Sequence, residues 1–191
     1  MTVVMASKQY SLPARLLHWV VAVLVIVQIA LGFAVDRSDR PLSDRLLDQH
    51  VRVGLLVLAL MLLRLLWRLG NPPPPLPGSI ARWKQNAAGL AHRLLYLMLL
   101  LMPVTGYVLW AWTGPSLNWW GLGRVPIVFR GGEEEFWRSV AGYAHEYGAY
   151  AISGLVLLHI AAALYHAFVV RDLSIGERIG ITGLDGAKRR L

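Results

Sequence analysis

The sequence predicts an all-α fold, a four-helix transmembrane bundle with both termini on the inner side (N-in/C-in). Three observations carry that prediction. Of 191 residues, 56% are hydrophobic and only 16% charged, with a mean hydropathy of +0.50, which is too apolar for an ordinary water-soluble domain. Four stretches, at about residues 16–35, 49–69, 94–113 and 147–170, are each close to the ~20 residues that cross a hydrocarbon core. The charges sort by side. With the N-terminus inside, the inner segments hold 12 of the 19 basic residues and 3 of the 11 acids, leaving 7 basic and 8 acidic outside. The split is +9 against −1, as the positive-inside rule expects. The net charge of +8 is thus an address rather than a nucleic-acid footprint, and the chain reads as a single membrane domain in contact with lipid.

The first span follows Tyr10 to Arg15, where Pro13 suits a first helical turn. Lys8 and Arg15 precede it as they would a signal peptide, but its apolar run is longer than a signal core and no A-x-A-like site follows Phe33, so it is expected to be retained. His18 and Trp19 lie one turn inside it. The outer connection holds Asp36-Arg37-Ser38-Asp39-Arg40-Pro41, which reads as a solvated turn or as a place where Arg37 or Arg40 pairs with an anionic group such as a haem propionate.

His50 opens the second span, with Gly54 one turn on, where a flat ring could lie against the helix or another helix could pack closely. Arg64 and Arg68 near its end are expected to snorkel to the interface. Residues 71–93 form an inner connector that begins Asn71-Pro72-Pro73-Pro74-Pro75-Leu76-Pro77, a stiff polyproline segment.

His92 and Arg93 mark the inner end of the third span, and Pro103 and Gly106 within it predict a bend. Trp110, Trp112, Trp119 and Trp120 at its outer end read as an aromatic belt with a short interfacial segment. In the next connection Glu133-Glu134-Glu135 lacks spaced oxygen ligands and reads as a solvated helix start. The fourth span is uncharged over 147–170, yet carries His159 and His166, with His145 just before it. A basic tail, residues 172–191, ends the chain.

Histidines are rare in bilayer-length segments unless used. From His145 to His159, fourteen residues rotate a helix to within ~40° of whole turns and rise about 21 Å, so both rings project from one stripe at two depths. His18 lies near the inner side and His50 near the outer, about 25 Å apart less the few ångströms by which His50 dips in. Two levels therefore match: His50 with His145 outside, and His18 with His159 inside. Pairing His18 with His166 would stretch the separation to about 31 Å. Two iron porphyrins, each gripped by imidazoles from facing helices, satisfy the arrangement. With no cysteine in the chain, covalent haem attachment, iron–sulfur clusters and disulfides are excluded. Interhelical hydrogen bonds and a histidine proton relay are the other readings of these residues.

These pieces resemble the bacterial cytochrome b561 family: His18-Trp19, Arg37-Ser38-Asp39-Arg40-Pro41, His50-x-x-x-Gly54, Pro103-Val104-Thr105-Gly106, and the run from His145-Glu146 through Leu158-His159 to His166. They cover about residues 10 to 172; the tail after Leu173 has no evident counterpart. The resemblance implies a multi-pass cytochrome of the bacterial inner membrane with two noncovalent b haems on His18, His50, His145 and His159. It would carry electrons between a periplasmic donor and ubiquinone. Some members resemble superoxide oxidases, so a superoxide:ubiquinone oxidoreductase is the expected enzyme. His92 and His166 match non-ligand histidines at the inner end, where quinone is thought to bind and an imidazole could protonate it. The alternative is a haem-bearing anchor that passes electrons for a soluble dehydrogenase or hydrogenase partner.

Overall fold

A computed structural model describes residues 9–74, 81–127, 135–170 and 178–179. Among them are four long α-helices: α1 (Leu12–Val35), α2 (Leu42–Gly70), α3 (Arg82–Thr113) and α4 (Glu135–Leu164). A π-helical turn at Tyr165–Val169 follows α4. All four are long and apolar enough to cross a membrane, and no strand occurs among the described residues; the chain is an all-α bundle.

Every helix begins before its apolar stretch. A hydropathy window sees only the part that lipid would touch, whereas backbone hydrogen bonding continues into polar turns. The largest difference is in the inner connector expected over 71–93, of which residues 82–93 belong to α3. Nothing after the last proline, Pro77, stops a helix there, and the Ala-Ala-Gly-Leu-Ala run before His92 favours one. Pro103 sits inside α3 without ending it. Residues 75–80, Glu133 and Glu134 lie outside the described residues, while Glu135 stands in the first turn of α4, a favourable place for a carboxylate. The basic tail is likewise outside, apart from Arg178 and Ile179. Arg178 is buried, donates to the Pro74 carbonyl and covers the Tyr10 ring, and Trp19 donates to the Ile179 carbonyl.

Close helix packing runs in sequence order, α1 on α2, α2 on α3, and α3 on α4. Val21 and Val25 of α1 interlock with Val53, Val57 and Met61 of α2 in the main core, supported by Tyr96, Leu99 and Leu100 of α3. These are slim side chains at helical spacing, which lets two backbones approach. The opposite faces present Val20, Val23, Leu62, Leu66, Leu157 and Leu158 outward, as lipid-facing stripes must. A second cluster, Trp110, Ala111 and Leu117, lies at the end that the charge split assigns to the outside, called the outer end. There residues 114–127 turn back on themselves through the Asn118–Arg124 bridge. Gly121 and Gly123 take positive φ at that turn, where a side chain would strain the backbone. Trp119 donates to the Arg52 carbonyl and Trp120 to the Gln49 side chain, so these two indoles tie the turn to the side of α2.

Candidate functional site

Helix α4 packs closely on α3 but meets α1 and α2 chiefly through aromatic side chains. At the outer level the ring centroids of His50 (α2) and His145 (α4) are 6.0 Å apart and nearly perpendicular. At the inner level His18 (α1) and His159 (α4) are 6.5 Å apart. Both sequence-paired sets therefore come together, one near each end of the bundle. Phe33 and Tyr150 touch between α1 and α4 nearer the outer end, at 5.7 Å.

The outer pair borders a cavity of about 850 Å³ formed by all four helices, lined among others by Gln28, Gly32, His50, Gly106, His145 and Ser153. That is within the range of small-molecule and cofactor sites. Two glycines make room for the rings. A Cβ on Gly106 would stand 2.9 Å from Cε1 of His145, and one on Gly32 would stand 3.1 Å from Cε1 of His50. Gly54 plays a different part: a Cβ there would meet the Gln28 amide at 3.0 Å. Gly148 faces Met102, and Gly154 faces open space.

Each outer ring has a polar neighbour. Thr105 donates its hydroxyl hydrogen to the Met102 carbonyl at 2.9 Å and lies 3.0 Å from His145 Nδ1. Its one hydrogen being used, the hydroxyl can only accept from Nδ1–H. The His145 lone pair is thereby left on Nε2, the state in which an imidazole ligates a metal. The Gln28 amide donates to the His50 carbonyl at 3.0 Å and lies 3.2 Å from His50 Nε2. Nδ1 of His50 and Oε1 of Gln28 are buried without a partner.

The inner level is more crowded. His159 faces His92 at 5.5 Å as well as His18, and Nδ1 of His18 is buried without a partner. His166 sits in the π-helical turn, its ring against Tyr165 and its Nδ1 also buried, with no partner among the described residues. The turn directly follows α4 and is closed by a bond from the Val170 amide to the Tyr165 carbonyl. Such turns recur at functional sites. Among the described residues no three His, Cys, Asp or Glu side chains converge as a bare metal ion would require.

Arg37 and Arg40 stand outside the cavity lining. Arg37 donates to the Phe33 carbonyl at 2.9 Å and covers the Phe33 ring. Arg40 is 85% exposed and pairs with Asp44 at 3.5 Å. Carboxylates line the cavity instead: Asp36, Asp44, Asp48 and Glu146, of which Asp48 pairs with Arg52.

A family model described as prokaryotic cytochrome b561 matches residues 9–177, nearly all of the bundle. The chain belongs to the prokaryotic cytochrome b561 family. Among its relatives, cytochrome b561 homolog 2 of Escherichia coli strain K12 is 28% identical over 184 residues, covering 93% of this chain and 95% of that protein. A probable superoxide oxidase, CybB, of Yersinia pestis is 27% identical over 168 residues, 86% of this chain and 92% of that one. Cytochrome b562 of Cereibacter sphaeroides is 32% identical over 165 residues, 82% and 85% of the two chains. Membership makes this b561 cytochrome a multi-pass membrane electron-transfer protein and implies haem b.

The residues present fit that cofactor. An iron between two imidazoles needs ring centres about 6 Å apart, given a metal–nitrogen bond of about 2 Å on either side, and both pairs meet this. The donors at each level are imidazole nitrogens, Thr105 orients one of them, and among the described residues the buried Nδ1 atoms of His18 and His50 have no hydrogen-bond partner. Sequence reasoning missed four positions of the outer socket. Thr105 and Gly106 were within its quoted motif, but Gly106 was read only as part of a bend and Thr105 was given no role. Gly32 was not singled out. Gln28 was visible as the sole amide in an apolar span, which is itself a functional signal.

Proposed function

We propose that this cytochrome carries two b haems and moves electrons from superoxide at the outer face to ubiquinone at the inner face of a bacterial inner membrane, with both termini inside. The observation that carries the reading is the pair of imidazole contacts, 6.0 and 6.5 Å, at two levels of α4. His50 and His145 would hold one iron, His18 and His159 the other. Each haem, when bound, supplies a one-electron relay inside a region where charge is otherwise expensive.

The chain's own residues do the rest. Thr105 holds the His145 ring in its ligating tautomer, and Gly32 and Gly106 keep the space beside the rings open. Ion pairs Arg40–Asp44 and Arg52–Asp48 offset two of the four cavity carboxylates, which lowers the barrier to an anionic donor. Arg37 stands at the rim beside Phe33, in place to pair with a propionate of the outer haem, with Arg40 farther out. At the inner end His92, next to His159, and His166, whose Nδ1 has no partner among the described residues, deliver protons to the quinone oxygens. Two superoxide anions lose one electron each and leave as dioxygen; ubiquinone takes those electrons with two protons to become ubiquinol. The similarity to the probable superoxide oxidase supports this choice of donor.

Stopped-flow mixing of the oxidised protein with superoxide tests this. Fast reduction of the haem absorbance, relieved by added ubiquinone, is expected. Haem that stays oxidised under superoxide would remove that donor and leave a docked dehydrogenase or hydrogenase as the source of electrons, to be sought by copurification.

A further inference from the structure

Two cations in α2 have no role in the reading above. Arg64 and Arg68 are one turn apart, each half-buried, and both turn onto one residue of α3. Arg64 Nε donates to the Tyr96 hydroxyl at 2.9 Å and Arg68 Nη1 at 3.4 Å, and both guanidinium carbons lie over the Tyr96 ring, at 5.8 and 5.1 Å. They do not simply snorkel outward. Tyr96 itself is fixed, being packed against the Val21–Met61 core cluster.

The arrangement is unbalanced as it stands. Like charges at i and i+4 repel, and their cost rises where lipid replaces water. Among the described residues neither arginine forms an ion pair with a carboxylate; the ion pairs present are Arg40–Asp44 and Arg52–Asp48 at the other end of α2. A neutral phenol oxygen occupies one N–H of each guanidinium and leaves the rest of both planar forks for another acceptor. Because it accepts from both arginines, its own O–H remains to be donated. Three donors thus converge, two of them cationic, a set suited to a planar oxyanion.

Position narrows the choice. Tyr96 stands one turn after His92 on α3, the His92 ring is 5.5 Å from that of His159, and both guanidiniums reach the Tyr96 hydroxyl. The cluster therefore borders the inner histidine level, and α2, which gives the outer level a histidine, gives the inner level two guanidiniums instead. We infer that Arg64, Arg68 and Tyr96 form an oxyanion site that takes a propionate carboxylate of the haem held by His18 and His159. This rests on the two-haem reading. A phospholipid phosphate has the same chemistry and is the rival source.

The test uses the holoprotein in nanodiscs of zwitterionic or of anionic lipid, with R64Q, R68Q and the charge-keeping R64K. Haem per chain in the parent protein is measured first, so that absence of a second haem is seen as failure of the two-haem reading and not of this site. Potentiometric titration then follows both haems, and resonance Raman follows their propionate bending bands. R64Q and R68Q are expected to lower the potential of one haem only, because a lost cation destabilises the reduced, more negative form. They should also displace that haem's propionate band and release that haem to apomyoglobin roughly tenfold faster. R64K should fall between parent and R64Q, and lipid charge should change none of this. An unmoved propionate band in all three variants, or effects that follow the anionic lipid content, would overturn the assignment.

Discussion

The outer and inner histidine levels solve one problem in different ways. Outside, two imidazoles stand in a cavity of about 850 Å³, each with its own polar neighbour, Thr105 for His145 and Gln28 for His50, and each against a glycine. Inside, three imidazoles crowd together, His159 between His18 and His92, beside two guanidiniums that share a phenol. The outer level is a fitted socket governed by shape and tautomer. The inner level is rich in groups that hold charge or carry protons. A site that only passes electrons needs the first kind of construction, whereas a site that reduces a proton-requiring acceptor needs the second.

That contrast can be broken most sharply at Gly106. Valine there would put a methine carbon 2.9 Å from the His145 ring, closer than atoms tolerate, so G106V should lose most of the outer haem and about half of the b-type absorbance. G154A is the matched control: its added Cβ meets nothing within 4 Å, and haem content should be unchanged. A smaller effect is expected from T105V, which keeps the shape but removes the acceptor for His145 Nδ1–H. Haem affinity at the outer level should weaken by about tenfold or more, the usual size for a lost ligand-orienting partner, measured as transfer to an acceptor protein. At the inner level, H92A should leave the haem content intact yet slow ubiquinone reduction by at least ~10² while superoxide still reduces the haems. Loss of a haem in H92A would instead assign His92 as a ligand. The least effect belongs to D36N. Removing one cavity carboxylate that has no ion-pair partner among the described residues should raise the superoxide rate about twofold at low salt and not at high salt.

Sequence and structure agree most where physical rules are local. Four bilayer-length apolar runs separated by breakers leave few alternatives to four helices, and the 14-residue step from His145 to His159 already fixes two levels on α4. What sequence alone could not show depends on neighbours. Hydropathy stops where lipid stops, so residues 82–93 of α3 passed for connector. Arg64 and Arg68 read as snorkelling side chains because nothing local announces Tyr96, 28 and 32 residues away. The π-helical turn that holds His166 begins at Tyr165, and nothing in the local residue pattern marks such a turn. Thr105 became meaningful only when α3 and α4 were seen side by side.

Haem stoichiometry in single-histidine variants tests the two-level account most directly. The parent protein should carry two b haems per chain, H18A, H50A, H145A and H159A one each, and H92A and H166A two. A folded, colourless parent protein, or haem retained in full after His145 or His159 is removed, would contradict it.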